Sequence, residues 1–210
     1  MSQFFHIHPQ NPQLRLIHRT ADIVANGGIV AYPTDSCYAL GCHIGDKDAL
    51  QRIIRIRRLD ARHDFTLVCR DLSEIATYAR VEDTAYRLIR SLTPGPYTFL
   101  LRATREVPRR LQNPRRKTIG IRVPASTIAQ ALLAALGEPM MSTSLILPGE
   151  TFPLTDPEEI RTRLEHEVDA VIDGGPGGME STTVLHWEQG VPVVLRQGKG
   201  DTECLSESAV

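Results

Sequence analysis

Apolar residues recur along the chain in two rhythms, one of period about two and one of period about 3.6, and the changes between them mark the elements. Phe4, Phe5 and Ile7, set among histidines, predict a short opening strand. Asn11-Pro12 then reads as a helix cap followed by proline at the first helical position. Leu14, Ile17, Ala21 and Val24 keep helical spacing until Gly27-Gly28 ends the run. Residues 29–32 predict a strand that Pro33 cuts, and Asp46 predicts the cap of a second helix carrying Ala49, Leu50, Ile53, Ile54 and Arg57. Residues 65–69 read as a short apolar strand and residues 73–92 as a broken helix.

The second half continues the alternation. Strands are predicted at residues 97–101, 119–123, 140–144, 168–172, 182–186 and 191–195. Between them, residues 126–136 form a helix ended by Gly137, and Asp156-Pro157-Glu158-Glu159 opens another with a cap, a proline and two early acids that suit its dipole. No linker or repeat divides the chain, so residues 1–200 read as one domain and residues 201–210 as a loose polar tail. About seven to nine strands among about five helices predict a layered α/β (α+β) domain, a twisted mixed sheet flanked by helices. At 210 residues, a single domain buries roughly 70% of its unfolded surface, enough for a true core.

Composition changes this picture little, whereas the distribution of charge changes it a good deal. Four cysteines (Cys37, Cys42, Cys69, Cys204) lack paired metal-ligand spacing and read as reduced thiols in the cytoplasm. No signal peptide and no membrane span is signalled, and His6 and His8 read as a surface strand rather than a metal pair. The formal net charge is −1, yet 21 of the 24 basic residues are arginine, and they cluster. Arg52, Arg55, Arg57, Arg58 and Arg62 crowd one segment; Arg102, Arg105, Arg109, Arg110, Arg115, Arg116, Lys117 and Arg122 crowd another. Acids gather instead in residues 150–173. Arginine forks suit phosphate and stay charged, so the segregation predicts a basic face for an anionic ligand. Arg55, Arg57 and Arg58 cannot all share one face of a helix. Walker A, GxGxxG, GxSxG and HExxH patterns are all absent.

Three polar turns follow strands: Thr34-Asp35-Ser36, Ser142-Thr143-Ser144, and Asp173-Gly174-Gly175 with Ser181-Thr182-Thr183 beyond it. Ligands of open sheets tend to bind at such strand ends. Tyr32-Pro33-Thr34-Asp35, Thr93-Pro94-Gly95-Pro96-Tyr97-Thr98-Phe99, Ile121-Arg122-Val123-Pro124 and Ser142-Thr143-Ser144 follow one another as in a single family. Over about residues 10–200 the chain resembles the YrdC/Sua5 family, most closely its YciO branch. That resemblance implies a three-layer fold with a basic concave face.

It also implies an activity: synthesis of threonylcarbamoyl-AMP from L-threonine, bicarbonate and ATP, with release of pyrophosphate, for modification of an adenosine in tRNA. Magnesium would accompany the ATP phosphates. By the resemblance, Arg55, Arg57, Ser144 and Arg196 bind ATP and its phosphates, and Thr34, Arg122, Ser142 and Thr182 hold the acyl substrate. No covalent catalytic residue and no metal ligand is assigned. Several positions depart from the family. Arginine replaces the lysine of its Lys-x-Arg clamp, Ile146 replaces an asparagine, Cys69 stands where many members carry histidine, and residues 59–64 replace a proline-rich loop. A second reading stays open, an RNA-binding module that uses the same basic concavity for tRNA or double-stranded RNA. A ligand sensor without catalysis is a third.

Overall fold

A computed structural model describes residues 1–60, 63–188 and 190–203; Arg62, Cys204 and most of the predicted tail lie outside the described residues. The chain opens with β1 (Gln3–His6) and α1 (Leu14–Ala25), which buries Ile17, Thr20, Ala21 and Val24 along one stripe. The cap is Gln13 rather than Asn11, because the backbone N–H of Asn11 is taken by His8 Nδ1 at 3.1 Å and Pro12 stays in the turn. Then come β2 (Val30–Tyr32) and β3 (Ala39–His43). The sequence reading missed β3. It is buried on both faces, so it lacks the polar alternation that betrays a half-exposed strand.

α2 (Lys47–Arg57) starts where predicted: Asp46 accepts the Ala49 N–H at 2.8 Å. It ends at Arg58, which adopts the left-handed conformation (φ 49°, ψ 47°). The predicted broken helix is α3 (Leu72–Tyr78) and α4 (Asp83–Leu92), separated by the two-residue strand β5 (Ala79–Arg80), with β4 (Thr66–Val68) before them. β6 (Tyr97–Ala103), β7 (Thr118–Arg122), α5 (Thr127–Leu136), β8 (Met140–Ser144), α6 (Pro157–Leu164), β9 (Ala170–Asp173), β10 (Thr183–Glu188) and β11 (Val191–Arg196) complete the order. α5 is closed by left-handed Gly137, as the sequence predicts, and Ser126, read as its first residue, is its cap.

The strands form one mixed sheet of eleven, in the order β1-β9-β2-β3-β8-β4-β7-β6-β10-β11, with β5 hydrogen-bonded to β6. The excess over the predicted number comes from β3 and the very short β5. Alternate side chains enter two cores. Ala31, Leu40, Leu67, Phe99, Ile121, Met141 and Val171 pack under α2, α3, α4 and α6. Val30, Tyr32, Ala39, Val68, Met140, Ala170 and Ile172 pack under α1 and α5. The molecule is therefore three-layered, but α1 and α5 cover their face only from β1 as far as Val68 of β4. Beyond β8 the same face carries Thr66, Thr98 and Arg122, and this uncovered half positions the site. Among the described residues, no helix is long and apolar enough to cross a membrane.

Candidate active site

A cavity of about 430 Å³ opens over the uncovered strands. Its walls include Thr66, Thr98, Arg122, Ser142, Ser144, Thr182, Leu195 and Arg196, together with Asp60, His63 and Asp64 from the α2–β4 loop. Of the residues singled out from sequence, Arg122, Ser142, Ser144, Thr182 and Arg196 thus meet in one place. Pleating explains why: residues 66 and 68, 98 and 100, and 142 and 144 are alternate positions of their strands and share a face.

Thr34 joins this group through Arg122. Its Oγ1 donates to the Cys37 carbonyl at 2.6 Å and accepts the backbone N–H groups of Ser36 and Cys37, which closes the turn after β2. The same oxygen lies 3.3 Å from Arg122 Nη2. Arg122 also forms an ion pair with Asp35, and the side chains are only 8% and 12% exposed. Among the described residues, Asp35 Oδ2 and Arg122 Nε are buried without a partner, so each retains capacity for a ligand atom or a water.

Ser142 is mostly spent inside the protein. It donates to the Leu40 carbonyl at 3.0 Å and accepts from Tyr32 Oη at 2.8 Å. Burial, its largest influence, pushes the Tyr32 hydroxyl pKa up to about 12, so the phenol remains a donor. Ser144 lies one pleat further out, half-buried, and its hydroxyl has no protein partner among the described residues. Thr182 fixes Arg196: its carbonyl accepts Nε at 3.2 Å and Nη2 at 3.0 Å, while its hydroxyl meets Thr98 Oγ1 at 2.8 Å.

Arg57 is half-buried, with an Nε that has no partner. Among the described residues no carboxylate pairs with Arg57 or Arg196. Desolvation lowers the pKa of both guanidiniums, though an arginine remains charged at neutral pH. Of the two, Arg196 lines the hydroxyl-rich cavity, while Arg57 acts on His63 in its wall, and such unneutralised positive charge suits an anion.

Arg55 does not join them. It is exposed and lines a separate groove of about 680 Å³ with Arg52, Arg58 and Arg163. Two residues along a helix turn the side chain by about 200°, so Arg55 and Arg57 face opposite ways. The Asp173-Gly174-Gly175 turn also lies apart from the cavity, clamped by Tyr38, whose Oη donates to the Gly175 carbonyl at 2.8 Å. Cys69 is fully buried in the core under α2 and α3, and burial pushes its thiol pKa up. Ile146 does not line the cavity. Sequence reasoning assigned no role to His63, which does line it, with Nε2 3.3 Å from Thr143 Oγ1. A lone histidine in a polar loop carries no signal of its own; only the fold brings it to the arginines.

The second basic segment is partly consumed by the fold. Arg110 donates to the Ile44 and Gly45 carbonyls, and Arg116 pairs with Asp64 at 3.2 Å. Among the described residues no group of three or more His, Cys, Asp or Glu could hold a metal.

Comparison with known proteins shows the family of the chain. The family model Sua5/YciO/YrdC, described as "Telomere recombination", matches residues 22–198. Over 203 residues the chain is 59% identical to the uncharacterized protein YciO of Escherichia coli K12, covering 97% of this chain and 98% of that one. The crystal structure of E. coli YciO matches it with a TM-score of 0.94, again over 97% and 98% of the two chains. A threonylcarbamoyl-AMP synthase of Halorhodospira halophila is 31% identical over 178 residues, or 84% of this chain and 92% of the relative. The structure of P. abyssi Sua5 complexed with L-threonine shares the fold at TM-score 0.90 and 24% identity, over 99% of this chain and 61% of that one. The chain belongs to the Sua5/YciO/YrdC family.

Proposed function

We propose that this cavity forms an acyl-adenylate from ATP, with L-threonine and bicarbonate as the acyl precursors. The observation that carries the reading is Arg196, which lines a cavity rich in hydroxyls and has no carboxylate partner among the described residues, with the positive field of Arg57 reaching His63 in the same wall. The relationship to a threonylcarbamoyl-AMP synthase supports the choice of precursors. In the reaction, the threonine amine and bicarbonate condense to a carbamate with loss of water. A carbamate oxygen then bonds to the α-phosphorus, and the bond from that phosphorus to the bridging oxygen breaks, releasing pyrophosphate.

Both reactants are anions, so charge neutralisation and alignment carry the rate rather than a protein nucleophile. Arg57 and Arg196 face the phosphates, and Thr182 holds Arg196 in position. Ser144 offers its free hydroxyl to the nucleotide. Thr34, Arg122 and Thr182 orient the threonyl carbamate, with Ser142 as the fixed floor between Tyr32 and the sheet. Magnesium on the phosphates supplies further neutralisation. A cytoplasmic setting provides both ATP and tRNA.

Trapping tests this directly. With ¹⁴C-bicarbonate, ATP, magnesium and L-threonine, label is expected in a nucleotide that comigrates with an acyl-AMP, and is expected to vanish when threonine is omitted. Label that never enters the nucleotide fraction contradicts the reading. A second reading, RNA bound along the outer surface, draws on Arg105, Arg109 and Arg115, exposed and without ion pairs among the described residues. Replacing Arg109, Arg110, Arg115 and Arg116 together then flattens the salt dependence of tRNA binding by roughly 0.7–0.9 in log–log slope per lost phosphate contact. An unchanged slope rejects it.

A further inference from the structure

His63 lines the cavity, yet the chemistry above gives it no part. Its surroundings are well defined. From β8, Thr143 Oγ1 lies 3.3 Å from Nε2, and the Phe65 ring meets the imidazole edge-on at 5.2 Å between centroids. Arg57 acts on it from α2 and Arg196 from β11, and Asp60 and Asp64 act from its own loop. Asp64 is already engaged, by Asn113 Nδ2 at 2.7 Å and Arg116 Nη2 at 3.2 Å. Burial and then Arg57 weigh most, so the ring pKa is lowered and the neutral imidazole is favoured.

We propose that His63 is a phosphate ligand that gains a proton when an anion occupies the cavity, so that phosphate binding and protonation are coupled. The inference rests on the reading that this cavity holds phosphates. Three steps lead to it. A phosphate in the cavity beside His63 offsets the positive field of Arg57 and Arg196 that disfavours the imidazolium. Its own negative charge then favours that form, as opposite charges within about 4–6 Å do. Finally, an imidazolium has two N–H donors where the neutral ring has one; Thr143 Oγ1 can accept the first, which leaves the second for the ligand.

The sign of the linkage follows. The ring pKa is higher in the complex than in the free protein, so the strengthening of affinity is complete below the free value. It is lost as pH rises through the value in the complex. Each unit between the two corresponds to about a tenfold change in affinity.

The test uses the full chain with ¹³C-labelled histidine and inorganic pyrophosphate as the probe, without metal. Ring signals are followed from about pH 5 to about pH 8, where histidine titrates, and His63 is assigned by its absence in His63→Gln. The expected result is a His63 midpoint below that of an ordinary histidine, moving up by about one unit or more with saturating pyrophosphate. In parallel, calorimetric affinities for pyrophosphate should strengthen with falling pH about tenfold more in the native chain than in His63→Gln. That comparison cancels the titration of pyrophosphate itself. Pyrophosphate that binds without moving the midpoint overturns this inference and leaves the phosphate reading standing. Absence of binding at every pH overturns both.

Discussion

Arg55 and Arg57 carry the same side chain on the same helix, and their angle around the axis separates an exposed residue from a half-buried one whose charge reaches His63. Arg57→Ala removes a desolvated, charged donor, and a hydrogen bond from a charged group contributes about 1.5–3 kcal/mol. Affinity for ATP in calorimetry should therefore fall by roughly 10–100-fold, whereas Arg55→Ala should leave it nearly unchanged. Equal losses would show that the two share a role. The ion pair of Arg122 and Asp35, both nearly buried, gives a second expectation. Asp35→Ala strands a buried guanidinium, and breaking such a pair costs about 3–5 kcal/mol. Urea denaturation should show a loss of this size, and a loss below about 1 kcal/mol would place the pair in the class of exposed bridges. The hydroxyls and arginines of the cavity were legible because they sit in recognisable runs such as Ile121-Arg122-Val123-Pro124. His63, and the choice between Arg55 and Arg57, depended on angle and neighbours that a linear sequence does not display.

Among the elements, α2 sets the site most directly, since it delivers Arg57 at its last turn and then stops. It stops at Arg58 in a left-handed conformation usually taken by glycine, and the Arg58 N–H reaches the Arg55 carbonyl at 3.3 Å. A side chain there costs about 1–2 kcal/mol. Arg58→Gly should therefore raise the midpoint of urea denaturation by an amount worth about 1 kcal/mol. An unchanged or lower midpoint would mean that the arginine side chain makes compensating contacts. Caps predicted α2 and α6, because Asp46 and Asp156 each accept a backbone N–H in the helix they begin, and the apolar run closed by Gly137 predicted α5. β3 escaped for the opposite reason. Buried on both faces and preceded by a polar turn, it offers neither a cap nor an alternating pattern.

Across the molecule, segregation of charge turns into function through incomplete covering of the sheet. α1 and α5 bury one half of their face, and the other half keeps polar side chains under open cavity space. Elsewhere acids from residues 150–173 neutralise arginines: Asp169 pairs with Arg52 at 3.0 Å, and Glu150 and Glu159 pair with Arg163 at 2.9 and 3.1 Å. Among the described residues, Arg57 and Arg196 have no carboxylate partner. The most direct test of this account is pyrophosphate release from ATP and magnesium with bicarbonate, with and without L-threonine, for the native chain and for Arg57→Ala. Threonine-dependent release that falls by about tenfold or more in the folded variant is the predicted result. Release that ignores threonine, or that survives in Arg57→Ala at the native rate, would contradict the assignment of acyl-adenylate synthesis to this cavity.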